Sequence, residues 1–132
     1  MTMTKEELNR LLVGIGKFSS NDVDLFRTEV RTRNFKKGDC LLEVGDVCRS
    51  MYYVVSGSIC EFGLLEDREF IQGFYLEGEW CLCRASFSLT SPSLTTIKAL
   101  SDLIVWELSN ESIRKLIGLS PAFCQLGKIL RT

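Results

Sequence analysis

What most constrains this chain is the rhythm of short apolar runs and turn glycines between Arg31 and Leu108. Phe35-Lys36-Lys37-Gly38-Asp39 reads as a strand end running into a glycine turn, and residues 40–44 form a short strand closed by Gly45-Asp46. Met51-Tyr52-Tyr53-Val54-Val55 is a compact β-run stopped at Ser56-Gly57. Residues 59–65 alternate, with Cys60, Phe62 and Leu64 on one face, turn at Glu66-Asp67-Arg68, and return as residues 70–76 before Glu77-Gly78. Residues 80–92 break this pattern with small side chains (Ala85, Ser86, Ser88, Ser91), after which strands resume at 95–100 and 103–108. Short strands in close succession, separated by tight turns, predict an all-β barrel or jelly roll rather than alternating βαβ units.

Helices bracket the strands in sequence. Thr4-Lys5-Glu6-Glu7 has capping-box spacing, and Leu8, Leu11, Leu12 and Ile15 follow on one helical face until Gly14 and Gly16 end it. Ser19-Ser20-Asn21-Asp22 offers a second N-cap ahead of the stripe Val23, Phe26, Val30. Near the other end, Ser109 is placed to cap a helix bearing Ile113, Leu116 and Ile117. Ser120-Pro121 then reads as a helix start, serine at N-cap and proline at N1, with Phe123, Leu126, Ile129 and Leu130 at helical spacing. The expected organisation is one domain over residues 1–132: N-terminal helices in 1–30, strands in 31–108 with the irregular insertion near 78–95, and C-terminal helices in 109–132.

Composition removes several functions. A chain of 132 residues buries roughly two-thirds of its unfolded surface, enough for a core without disulfides or metals. Net charge is −1 and no basic stripe is visible, which argues against direct DNA binding by this segment. The chain has six cysteines (Cys40, Cys48, Cys60, Cys81, Cys83, Cys124) but no CxxC pair and no histidine, so neither a zinc site nor a disulfide framework is indicated. The expectation is reduced, buried cysteines acting as small apolar groups, with Cys81 and Cys83 on one strand face. Without histidine, metal-dependent chemistry on a cupin-like barrel and a nucleophile–base pair are both disfavoured, so no enzyme, metal or cofactor is expected. The polar N-terminus and the lack of a run of ~20 apolar residues point to a cytoplasmic protein with no membrane partner.

Several segments in register carry a family resemblance. They are Phe35-x-x-Gly38-Asp39, Gly45, Met51-Tyr52-Tyr53-Val54-Val55-Ser56-Gly57, Leu76-x-Gly78-Glu79-Trp80, and Ala99-Leu100-x-Asp102 through Glu107-Leu108-Ser109. Together they resemble the cyclic-nucleotide-binding domain of Crp/Fnr-type bacterial transcriptional regulators. The resemblance implies a mainly β fold, a double-stranded β-helix (jelly-roll β-roll) flanked by N- and C-terminal α-helices. It implies that residues 78–95 are a phosphate-binding cassette. There a short helix N-terminus and an arginine hold the cyclic phosphate, and a glutamate after a glycine holds the ribose. Counting from Gly78, the Gly-Glu pair falls on Leu82-Cys83 and the arginine on Ser93, followed by Leu94, Thr95 and Thr96. Both charged contacts are missing. Truncating one partner of a buried charge-assisted contact costs roughly 2–5 kcal/mol, so the cassette is expected to be degenerate and cyclic AMP not to bind in the usual way.

The candidate ligand-binding residues are therefore Leu82, Cys83, Arg84, Ala85, Ser86, Ser93, Leu94, Thr95 and Thr96. Arg84 is a possible relocated anion anchor, though a solvated surface arginine is the more ordinary reading. Ser93, Thr95 and Thr96 could line a polar pocket, against the ordinary reading of pleated-strand threonines. Trp80 reads as core. The resemblance also implies a small-molecule effector and a homodimer. Its seam would use Phe123, Leu126, Ile129 and Leu130, with packing back onto the barrel as an equal alternative. DNA would be reached only through a helix-turn-helix domain that this chain lacks, the effector shifting how the C-terminal helix packs. The end at Arg131-Thr132, inside an amphipathic helix, favours a fragment of a longer regulator over a stand-alone sensor. The competing class is a β-roll that lost its ligand and serves as a protein-interaction or dimerisation module, with Leu82 and Leu94 filling the pocket.

Overall fold

The computed structural model describes residues 3–130; Met1, Thr2, Arg131 and Thr132 lie outside the described residues, and with them the last two residues of the helical segment expected over 109–132. The chain divides into two compact units, a β unit of Arg33–Glu107 and a helical unit made of the segments before and after it.

In the helical unit, α1 (Lys5–Val13) and α2 (Ser20–Glu29) each begin with a reciprocal capping box, Thr4 with Glu7 and Ser19 with Asp22. These pairs satisfy N–H groups that the first turn leaves without helical partners. α4 (Asn110–Leu119) is capped by Ser109, whose Oγ accepts from the Ser112 N–H at 3.1 Å. Leu8, Leu12, Val23, Phe26 and Leu116 are buried. The segment after Ser120 departs from the regular α-helix expected of it. Pro121–Leu126 winds as a 3-10 helix and only Gly127–Leu130 is α-helical, as α5. Ser120 makes no capping bond here because its hydroxyl serves the Asp22 carboxylate instead. The Phe123 N–H bonds back to the Ser120 carbonyl, an i to i+3 contact that tightens the turn.

That segment is sewn to the loop after α1. The Gln125 amide accepts from the Lys17 N–H at 3.1 Å and donates to the Lys17 carbonyl at 2.8 Å, while Lys128 Nζ donates to the Ile15 carbonyl. Phe123 is 0 % exposed, with ring centroids 5.4 Å from Phe18 and 6.2 Å from Phe26. Leu126 and Ile129 are also buried, and Leu130 is half-buried. Three of the four residues placed on a dimer seam are thus covered within a single chain.

The β unit is built from two four-stranded antiparallel sheets. One has β1 (Arg31–Phe35), β8 (Leu103–Ser109), β3 (Ser50–Ser56) and β6 (Trp80–Cys81) in the order β1-β8-β3-β6. The other has β2 (Cys40–Leu42), β7 (Thr95–Ala99), β4 (Ile59–Leu65) and β5 (Arg68–Tyr75) in the order β2-β7-β4-β5. Val54, Ile59, Ile97, Leu103 and Val105 are buried, and Tyr53 packs between Trp80 and Trp106, 5.3 and 5.5 Å away. The Gly57 turn needs its glycine: φ is +100°, and a Cβ would be driven into the Asp102 carbonyl.

Three local readings change. Cys60, Phe62 and Leu64 do share a face of β4, but Leu64 is 60 % exposed, and the face that stays buried along the strand carries Ile59, Glu61 and Gly63. Cys83 has left the strand at Cys81, so the two thiols do not share a strand face. Cys40 and Cys124 are exposed, so the cysteines are not uniformly buried.

Phe123→Ala should lower the unfolding free energy by about 3–5 kcal/mol, with a midpoint independent of protein concentration, as measured by chemical denaturation at two concentrations. A side chain that closed a seam instead would give a concentration-dependent midpoint. The hydrogen bond from Ser120, then that from the Ser19 backbone, hold the Asp22 carboxyl below its ordinary value of 3.8. A folded-state value lowered in this way contributes stability that is complete above the unfolded value and is lost as pH falls through the folded one. Acid titration should therefore show the helical unit weakening below pH 3.8, a step that Asp22→Asn removes.

Candidate functional site

The irregular insertion forms a cradle beside the second sheet. After β6 the chain enters α3 (Arg84–Leu89), a single short helix preceded by Cys83 at N-cap and closed by Thr90 in the left-handed conformation. The small residues read from the sequence are what tie it down. Ser86 Oγ accepts from the Cys48 N–H at 2.8 Å and donates to the Ser91 carbonyl at 2.5 Å. Ser93 exchanges backbone bonds with the 45–46 turn: its carbonyl accepts from the Gly45 N–H at 2.8 Å and its N–H donates to the Asp46 carbonyl at 2.7 Å. A bridge pairs Val47 with Pro92.

Between this cradle and the sheet lies a cavity of about 560 Å³. Of the nine candidate ligand-binding residues, Leu82, Cys83, Arg84, Ala85, Ser86, Leu94 and Thr95 line it. Ser93 and Thr96 do not. The Ser93 hydroxyl is spent locally on the Thr95 backbone, donating to its carbonyl at 2.7 Å and accepting from its N–H at 3.1 Å. Thr96, on the other face of the pleat, accepts from the Val44 N–H at 3.2 Å. Arg84 is half-buried on the cavity wall, not a solvated surface side chain. Leu82 is buried, but Leu94 sits at the rim 83 % exposed, so the two leucines do not fill the space together.

The residue that sequence reading missed is Glu61. It lines the cavity, is only 5 % exposed, and holds hydrogen bonds on both carboxylate oxygens. Tyr75 Oη donates to Oε1 at 2.8 Å and Thr95 Oγ1 donates to Oε2 at 2.6 Å. The register explains the geometry. Ile59 pairs with Tyr75 and Gly63 with Thr95, so both donors are diagonal neighbours of Glu61, one on each flanking strand. The positions directly opposite Glu61 are Gly73 and Ile97, and Gly73 adds no side chain to compete for the space. A lone glutamate in phase with Ile59 and Gly63, inside an otherwise apolar strand, was the signal available in the sequence.

The Glu61 carboxylate colours its surroundings. Burial, then donation to Glu61, raises the Tyr75 phenol well above its ordinary value. Burial first and the Glu61 charge second push the Cys81 thiol up strongly. Cys60 and Cys48 are raised in the same direction, burial leading, with the Glu61 charge contributing to each. Among the described residues, no group of three or more His, Cys, Asp or Glu is placed to hold a metal ion, and no helix is long and apolar enough to cross a membrane.

Paired antiparallel sheets with a short helical cradle over a cavity at one sheet define a ligand-cavity β-roll. The model of the cyclic nucleotide-binding domain matches residues 32–119. The chain belongs to that family, and its relatives include regulators of the Crp/Fnr type. It is 32% identical over 92 residues to the fumarate and nitrate reduction regulatory protein of Yersinia pestis, an alignment covering 69% of this chain and 36% of that protein. This chain therefore spans about a third of that relative's length. Among solved structures it superposes on a cyclic nucleotide-binding domain from Methylobacillus flagellatus with a TM-score of 0.80, at 16% identity, over 96% of this chain and 72% of that one. It also matches the sensor domain of the transcriptional regulator DNR from Pseudomonas aeruginosa with a TM-score of 0.74, at 17% identity, over 95% and 87% of the two chains. At such identities these structures establish the fold.

Iodoacetamide at ~pH 8, near the ordinary thiol range, should label Cys40 and Cys124 first, read by peptide mass spectrometry. Cys48, Cys60 and Cys81, buried with raised thiols, should label only as the protein unfolds.

Proposed function

We propose that this chain is the effector-sensing module of a Crp/Fnr-type regulator whose cassette has lost its ability to hold a cyclic phosphate. The observation that carries this reading is the pair of positions where the family places its charged contacts. Cys83 brings no carboxylate to the cavity wall, and Ser93, in place of the arginine, turns its hydroxyl back onto Thr95. The role is regulatory and not catalytic, and it belongs in the cytoplasm, where such regulators meet both metabolites and DNA. DNA contact falls to a separate reader domain in a longer protein. The open volume of about 560 Å³ lies within the range typical of small-molecule sites, which supports retained ligand binding over a collapsed pocket.

A second reading, a β-roll kept as a protein-interaction or dimerisation module, is favoured by one observation. The β4–β5 hairpin presents Leu64, Leu65, Ile71 and Phe74 to solvent, and β5 is the open edge of its sheet. Exposed apolar side chains grouped on one edge mark association surfaces.

Titration calorimetry with cyclic AMP should show no saturable binding below about 1 mM, since losing two charge-assisted contacts at 2–5 kcal/mol each exceeds what the remaining contacts restore. Binding at micromolar concentration or tighter would overturn the degenerate cassette. A homodimer by light scattering that dissociates on Phe74→Asp would favour the second reading.

A further inference from the structure

We propose that the cavity takes a phosphate-free ligand of nucleoside size that donates hydrogen bonds, held by the Glu61 carboxylate of β4 rather than by the cassette. This deepens the reading of a degenerate cassette and rests on it. An ionised carboxylate has about four acceptor positions and donates nothing. Tyr75 and Thr95 occupy one position on each oxygen, which leaves Glu61 acceptor capacity at the cavity wall for hydroxyl or amine groups of a ligand. With only 5 % of its surface exposed, Glu61 is poorly screened by water, so its charge acts strongly on whatever enters.

An anion brought into the same space meets a like charge already fixed in place by two hydrogen bonds, an arrangement that selects against it. Arg84 lines the cavity as well, but one cation set against one carboxylate leaves none of the positive excess that a phosphate site needs. The Cys81 thiol and the Tyr75 phenol are made less acidic by burial first, and the Glu61 charge adds to the shift of each. The remaining walls, with Phe70, Leu82 and the Tyr75 ring, suit a flat apolar body, and a volume of about 560 Å³ accommodates a ligand of this class.

The test is calorimetry on the full chain with matched probes, adenosine and guanosine against their 3′,5′-cyclic monophosphates, which carry an anionic phosphate in place of the 3′ and 5′ hydroxyl donors. The expected result is that at least one nucleoside binds and its cyclic phosphate binds at least about ten-fold more weakly. Glu61→Gln keeps the shape but removes the charge. It should weaken the nucleoside, relax the exclusion of the phosphate and shrink the ratio to about three-fold or less. If circular dichroism shows that Glu61→Gln does not fold, Glu61→Asp replaces it; this variant keeps the charge but draws it back from the cavity, and should weaken the nucleoside while the cyclic phosphate stays excluded. Cyclic phosphates binding as tightly as nucleosides would overturn both this inference and the degenerate cassette. No nucleoside binding at millimolar concentration would overturn this inference alone. Unchanged discrimination in Glu61→Gln, or unchanged nucleoside affinity in Glu61→Asp, would overturn the role of Glu61.

Discussion

A carboxylate held out of water in the middle of an antiparallel sheet sets the terms for the β unit. Glu61 is tolerable at that position because both of its oxygens are met, one by a hydroxyl from β5 and one by a hydroxyl from β7. Leaving a buried charged acceptor without partners costs at least about 1–3 kcal/mol, so the three strands are held in the one register that brings Tyr75 and Thr95 diagonal to Glu61. A slip of one residue would turn Glu61 to the other face and set Cys60 or Phe62 towards the cavity in its place. The sheet's register and the chemistry of the cavity are thus one property, because the pairing that satisfies Glu61 also puts it on the wall.

The cradle opposite is organised by small polar groups rather than by charge. Ser86 and Ser93 spend their hydrogen bonds on the chain itself, binding α3 and the 91–95 segment to the 45–48 loop. A serine used this way fixes backbone shape but offers little to a ligand. The ionic groups of the cavity come from elsewhere, Glu61 from the sheet and Arg84 from the first turn of α3.

Much of this was legible in the residues. Capping boxes at Thr4 and Ser19, the Ser109 cap, the glycine turns and the irregular insertion all rest on local chemistry, and each appears where spacing places it. What local rules misjudged involved partners distant in sequence. Ser120 looks like an N-cap by its neighbours, but its hydroxyl serves Asp22 almost a hundred residues earlier, and the turn after it winds as 3-10. The stripe Phe123, Leu126, Ile129 looks unfinished by periodicity, yet Phe18, Phe26 and the Lys17 backbone engage this segment. Thr95 and Thr96 are indistinguishable by composition, and pleat alternation sends only Thr95 to the cavity.

By itself, then, the sequence determined the class of fold and the order of its elements, since propensity, turn chemistry and spacing are written locally. Only the tertiary structure decided which face of β4 is covered, that Glu61 rather than any cassette residue brings the carboxylate to the cavity, and that the C-terminal apolar stripe is already partnered. The physical reason is that these outcomes depend on register and on hydrogen bonds between strands and helices far apart along the chain, and periodicity names a face without naming what lies across from it.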